Sequence, residues 1–176
     1  LSGETGDVVV SSADPTDPFI LDVNPLYFVA GFDNSGILTS SNGVDWTIAT
    51  TPASSADIEA LVYGDNLIVA VGTGSGFMLT SPDGVTWTER TNPAGQNLFG
   101  VAYDADSDLY VAVGNQNRVI TSPDGITWTL QTTTSSGFGL QEVAYGNGLW
   151  VATGFGGLLT TSSDGTTWTT TTIAST

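Results

Sequence analysis

The sequence predicts an all-β chain: a β-propeller of four repeats of about 41 residues, each repeat one four-stranded antiparallel blade. Three observations predict it. Trp46, Trp87, Trp128 and Trp168 stand 41, 41 and 40 residues apart. Each closes a near-identical turn sequence: TSSNGVDWT from Thr39, TSPDGVTWT from Thr80, TSPDGITWT from Thr121 and TSSDGTTWT from Thr161. Each unit also divides into short runs of strand-forming residues separated by turn residues, with little helical periodicity.

The second repeat shows the elements in order. Glu59–Tyr63 reads as a first strand, Leu67–Gly72 as a second, Phe77–Ser81 as a third and Thr86–Arg90 as a fourth. Gly64–Asn66, Thr73–Gly76 and Pro82–Gly84 are the turns between them; Pro pre-sets φ, and Asp-Gly tolerates the positive φ of a tight turn. The second strand recurs as LYFVAG, LIVAVG, LYVAVG and LWVATG, ending at Gly31, Gly72, Gly114 and Gly154. The first strand recurs with Tyr63, Tyr103 and Tyr145 near its end, whereas the first repeat has PFILDVN, ending near Val23, and is the atypical terminal unit. Tyr27, Tyr110 and Trp150 fall at one repeat position, with Ile68 in the fourth copy, and read as core packing or as platforms for sugars. The domain organisation is an extension over residues 1–17 and a four-repeat propeller over 18–176.

Charge and missing residue types exclude several functions. Eighteen acids face two arginines, with no histidine, giving a formal charge of −16. Such a chain lacks the cations that bind a nucleic-acid backbone, and it is repelled by anionic lipid surfaces. No run of about 18 apolar residues exists for membrane insertion. The absence of cysteine, histidine and lysine removes thiolate and imidazole metal sites, the Ser-His-Asp triad and the Walker-type phosphate loop. No cofactor is expected, calcium being the one ion considered below. The start at Leu1 leads to the expectation of a processed, exported product.

The turn sequence resembles the Asp-box (BNR-like) repeat of sialidase-like and photosystem-assembly-factor-like propellers, Ser-x-Asp-x-Gly-x-Thr-Trp. It is present as Ser81-Pro82-Asp83-Gly84-Val85-Thr86-Trp87 and Ser122-Pro123-Asp124-Gly125-Ile126-Thr127-Trp128, one residue shorter between Asp and Gly. The first copy has Asn42 in the Asp place and Asp45 in the Thr place. The resemblance implies a propeller architecture. It also implies, for sialidases, a cluster of three arginines, which a chain with only Arg90 and Arg118 cannot supply.

Asp83, Asp124 and Asp164, with Trp46, Trp87, Trp128 and Trp168, are expected to be framework. The carboxylates should accept backbone N–H groups across their own turns, and the rings should wedge between blades. Asp104, Asp106 and Asp108 stand at alternate positions, a spacing that opens calcium loops, in what is otherwise a longer hairpin turn. Glu59 and Glu142 precede the Tyr of two first strands and are candidates for a carboxylate pair. Asn115–Arg118 and its counterparts Asp33–Gly36, Thr73–Gly76 and Phe155–Gly157 should share one face of the disc. Gly6–Ser12 reads as an extra strand able to close the ring or to add to a neighbouring subunit's sheet, making a homo-oligomer or polymer. The Thr clusters at Thr132–Ser136 and from Thr166 onward read as edge strand or as carriers of O-linked sugar.

The function expected is a non-enzymatic extracellular structural or adhesive module: secreted, cell-surface or virion (tail or decoration), for instance a repeating fibre subunit. A glycan-binding, lectin-like propeller is the alternative, and a carboxylate-based glycoside hydrolase a third reading.

Overall fold

Short runs of Val, Ile, Leu and Thr, each stopped by Gly, Asn or Asp, form strands and hairpins. In a computed structural model that describes residues 19–23, 27–52, 56–74, 76–131, 133 and 139–172, they form four antiparallel sheets of four strands, each sheet in sequential order. Blade 1 holds β1 (Phe19–Val23), β2 (Tyr27–Phe32), β3 (Gly36–Ser40) and β4 (Thr47–Ile48). Blade 2 holds β5 (Ile58–Gly64), β6 (Leu67–Gly72), β7 (Met78–Ser81) and β8 (Thr88–Glu89). Blade 3 holds β9 (Leu98–Asp104), β10 (Leu109–Gly114), β11 (Arg118–Ser122) and β12 (Thr129–Leu130). Blade 4 holds β13 (Leu140–Gly146), β14 (Leu149–Gly154), β15 (Leu158–Ser162) and β16 (Thr169–Thr172). Asn115–Asn117 and Phe155–Gly157 are short 3₁₀ turns. This is the expected all-β, four-blade propeller architecture. The strand expected at Gly6–Ser12, the 1–17 extension and most of Thr132–Ser136 lie outside the described residues.

Strict up-and-down order gives every blade two ends. The Asp-Gly turns share one end with the hairpins after the Tyr strands. The loops after the second strands share the other with the links between blades. At this loop end three blades carry the same device. In β5, β9 and β13 the register slips by one residue near the start, leaving a β-bulge against β6, β10 and β14. Opposite each bulge is Gly72, Gly114 or Gly154, where a Cβ would overlap the carbonyl oxygen of Asp57, Asn97 or Gly139. The residue after each glycine donates its N–H to that same carbonyl, at 3.0 Å from Thr73, 3.0 Å from Asn115 and 3.2 Å from Phe155. Close backbone approach, not a special φ, therefore fixes glycine there.

Blade 1 departs from this pattern and corrects the sequence alignment. Its β1–β2 pairing is continuous, with no bulge. Phe28 pairs with Ser40, as Ile68 does with Ser81, Tyr110 with Ser122 and Trp150 with Ser162. The fourth member of the aromatic position is therefore Phe28 and not Tyr27, and Phe32, not Gly31, stands where the others have glycine. Counted back from the turn, Phe28 stands as far before Ser40 as Tyr110 does before Ser122 and Trp150 before Ser162; blade 2, with one more residue between Ile68 and Ser81, is the one out of step.

The core consists of layers between blades. Between blades 1 and 2, Val29, Ile37 and Ala49 meet Ile58, Leu61, Ile68, Leu79 and Trp87. Between blades 2 and 3, Val62, Val69, Val71 and Met78 meet Leu98, Val101, Tyr110, Ile120 and Trp128. Between blades 3 and 4, Val111, Val113 and Val119 meet Leu140, Val143, Trp150, Ala152 and Trp168. First strands lie side by side in the order β1, β5, β9, β13, and among the described residues β13 makes no comparable packing with β1. Among the described residues the four blades form an arc with an open seam.

Each layer is closed by the Trp of the later blade; Trp46, with no blade before it among the described residues, is only half-buried while Trp87, Trp128 and Trp168 are buried. Trp128→Ala should therefore lower the unfolding free energy by about 3–5 kcal/mol, as for a large aromatic deleted from a core. Trp46→Ala should cost clearly less; urea unfolding midpoints of the two variants check the order.

Candidate functional site

The most elaborate polar arrangement is the repeated turn. Ser81, fully buried, accepts N–H bonds at Oγ from Asp83 (3.3 Å) and Gly84 (2.8 Å) and donates its hydroxyl to Asp83 Oδ1 at 3.0 Å. The same Oδ1 accepts the N–H groups of Val85 and Thr86, both at 2.9 Å. Asp124 does this for Ile126 and Thr127 at 2.8 and 2.7 Å, and Asp164 for Thr166 and Thr167 at 2.8 and 2.7 Å. Three donors on one carboxylate oxygen favour the ionised form, and all three Asp pKa values lie below the ordinary range, chiefly through the N–H groups of Thr86, Thr127 and Thr167. Asn42 accepts the same bonds from Val44 and Asp45 at 2.9 and 2.8 Å, and its amide donates to Asp45 Oδ2 at 2.9 Å, so it needs no charge.

The turn also seats the Trp. Gly84, Gly125 and Gly165 have φ of 71°, 66° and 72°, and each carbonyl accepts the indole N–H of its own Trp at 3.0, 3.0 and 2.8 Å. A Cβ on Gly84 would press on Val29, on Gly125 against Val69 and on Gly165 against Val111, all on the preceding blade. Asp83, Asp124 and Asp164 thus bond within their own turns, and Trp87, Trp128 and Trp168 are buried beside them.

The other sequence candidates do not converge. Asp104 is buried and accepts the Asp106 N–H at 3.0 Å and the Ser107 hydroxyl, and its charge, after burial, helps raise the pKa of Tyr145 on blade 4. Asp108 accepts the Tyr103 hydroxyl at 2.8 Å. Thus Asp104 and Asp108 hold their own hairpin, and among the described residues no three Asp or Glu side chains gather to hold a metal ion. Glu59 is the bulged residue of β5, whereas Glu142 pairs with Thr153 beyond the bulge of β13. They occupy different register positions on non-adjacent blades and form no pair. Burial and the nearby Asp57 and Asp33 raise the Glu59 pKa. Surrounding protein raises that of Glu142 by desolvation, although part of its side chain meets water. Arg90 Nε donates to Thr80 Oγ1 at 2.8 Å on the outer side of blade 2, and Arg118 begins β11 at the loop end of blade 3. No arginine cluster forms.

The loop end carries what the sequence reading missed. The four loops after the second strands share this end, as expected. Only blades 1 and 4 place an aromatic there, Phe32 (40% exposed) and Phe155 (58% exposed). Both sit at or just after the repeat glycine position, where blades 2 and 3 have Gly72-Thr73 and Gly114-Asn115. Aligning Gly31 with Gly72, Gly114 and Gly154 hid this correspondence.

A family model described as the DUF6242 beta propeller domain matches residues 56–176. No curated protein sequence matches the chain. Among solved structures, YCF48 from Cyanidioschyzon merolae is 14% identical with a TM-score of 0.64, over 93% of this chain and 62% of that one. YCF48 bound to D1 peptide is 16% identical with a TM-score of 0.65, over 94% and 61%. Virginiamycin B lyase from Staphylococcus aureus (the selenomethionine form) is 12% identical with a TM-score of 0.75, over 96% and 59%. The chain thus spans less than two thirds of the length of these structures, and at such identities the likeness shows the fold.

The turn carboxylates give the fold a pH dependence of definite sign. An Asp pKa depressed in the folded state contributes stability that is full above the unfolded value, about 3.9, and is lost as pH falls through the folded value. Glu59 and Glu142, shifted the other way, favour the folded state at acid pH and lose that contribution as pH rises. With three Asp turns against these two, the melting temperature should fall below about pH 4. Asp164→Asn should keep the turn at neutral pH, as Asn42 does, and weaken the acid dependence, whereas Asp164→Ala should lower the neutral-pH melting temperature. Thermal melts from pH 2 to pH 7 check all three.

Proposed function

The chain belongs to the DUF6242 beta propeller domain family, and from that premise we propose that it is a non-enzymatic structural or adhesive module acting outside the cell, with the loop end as its contact surface. One observation carries the reading: the Asp of each of the three later repeats, like Asn42 in the first, is occupied by its own turn, leaving the motif no free acid, base or nucleophile. The two carboxylates that titrate high, Glu59 and Glu142, have neither each other nor an arginine beside them, which is not the arrangement of a two-carboxylate glycosidase. The strongly acidic surface, free of lysine, suits display among uncharged or cationic partners and keeps the chain soluble.

A second reading is favoured by Phe32 and Phe155. Exposed aromatics at one end of a propeller suit stacking against sugar rings or side chains of an extended peptide. The D1 peptide bound by YCF48 gives a precedent for a peptide on this fold. The resemblance of the turns to the Asp-box supports the architecture in the same way.

The test joins the two readings. The purified chain is incubated with a panel of aryl glycosides from pH 4 to pH 8, and its binding to glycan and peptide arrays is measured for wild type and Phe155→Ala. No turnover, with array binding weakened at least tenfold by Phe155→Ala, is the expected result. Turnover abolished by Glu59→Gln or Glu142→Gln would overturn the non-enzymatic reading.

A further inference from the structure

We propose that the trailing face of blade 4 docks onto the leading face of blade 1 of a second copy of this chain, repeating the contact used three times between its own blades. The two faces are the unmatched halves of one interface. In blades 2 to 4 the leading face presents Ile68, Leu79 and Trp87, then Tyr110, Ile120 and Trp128, then Trp150, Thr160 and Trp168, all buried against the blade before. Their counterparts in blade 1, Phe28, Leu38 and Trp46, are only half-buried. The Ser40-Asn42-Gly43 turn has the same internal bonds as the others, but a Cβ on Gly43 would meet Phe28 of its own blade, not a preceding one.

The trailing side is the complement. Val69, Val71 and Met78 in blade 2, and Val111, Val113 and Val119 in blade 3, are fully buried under the next blade. In blade 4, Val151 and Leu159 are half-buried and Thr153 is exposed. At the turn end Tyr103 of blade 3 lies over Gly64 of blade 2, whereas Gly146 of blade 4 is exposed with open space beside it. A blade following blade 4 needs what the leading face of blade 1 offers: a turn glycine for Val151, a Trp for the valine layer and apolar strand residues for Leu159. Thr153, where blades 2 and 3 have Val71 and Val113, keeps this face tolerable to water while free. The contact is head to tail: two arcs close into a pair if their curvature allows and extend into a longer chain if not. Self-repulsion of a −16 chain opposes it, so added salt should strengthen it.

Light scattering on the full chain at high micromolar concentration, with Thr153→Arg and Leu38→Glu, decides the matter. The wild type should exceed monomer mass, increasingly with salt. Each variant should be monomeric with a wild-type circular-dichroism spectrum, and mixing them should give a 1:1 pair, because each keeps the face the other lacks. Should Leu38→Glu fail to fold, Thr153→Arg at its exposed site carries the test alone. A monomeric wild type, variants that assemble unchanged, a mixture that stays monomeric, or assembly abolished by deleting residues 1–12 but not by Thr153→Arg would overturn the proposal.

Discussion

Everything in this chain depends on seating the Trp-bearing turn of one blade on the second strand of the blade before it. A four-stranded sheet of such short strands cannot bury both of its faces alone. The turn supplies a ring on one side and, through a glycine at positive φ, a close backbone approach to a Val on the other. The Asp or Asn of the turn fixes that geometry, so an exposed polar residue determines how an apolar layer is sealed. Backbone bonds tie the same point: Thr50, just past blade 1, donates to the Val85 carbonyl at 3.1 Å and accepts the Trp87 N–H at 3.3 Å.

That arrangement separates the two ends of the arc in chemical terms. At the turn end the carboxylates are committed to backbone donors, and the Tyr hydroxyls reach their own hairpin or a neighbouring blade, as Tyr103 does to Asp108 and Tyr110 to the Gly64 carbonyl. At the loop end the bulges and their glycines hold the links between blades, leaving the tips free to vary without disturbing the layers. Variation is found there: an acidic loop around Asp33 and Asp57, amides at Asn115–Asn117, and single aromatics at Phe32 and Phe155. A reading of this protein as a binding or structural module follows from the separation, since variable tips on a rigid repeat can alter a contact surface at little cost to the fold.

The architecture was legible because it rests on local rules repeated four times. Strand limits expected for the second repeat fall within a residue or two of those observed, and Leu67–Gly72 is reproduced unchanged as β6. The Asp-Gly turns and their Trp partners stood out in the sequence for the same reason. Two things were hidden. The register of blade 1 follows the distance from its turn Ser and not the position of Gly31, and aligning Gly31 with Gly72, Gly114 and Gly154 put Tyr27 in the place of Phe28. The open seam depends on blade curvature, a property of three-dimensional packing. Its one sequence signal was Thr153 in a position otherwise filled by Val71 and Val113.

The central claim is that each blade is sealed by its own tryptophan against the blade before it, so that the first has nothing to seal. Exchange of the indole N–H protons, followed by NMR in heavy water on the Thr153→Arg chain so that the end faces stay free, tests it most directly. The account predicts slow exchange for Trp87, Trp128 and Trp168, whose indoles bond buried turn carbonyls, and fast exchange for Trp46. Equal protection of Trp46 and the other three would contradict it.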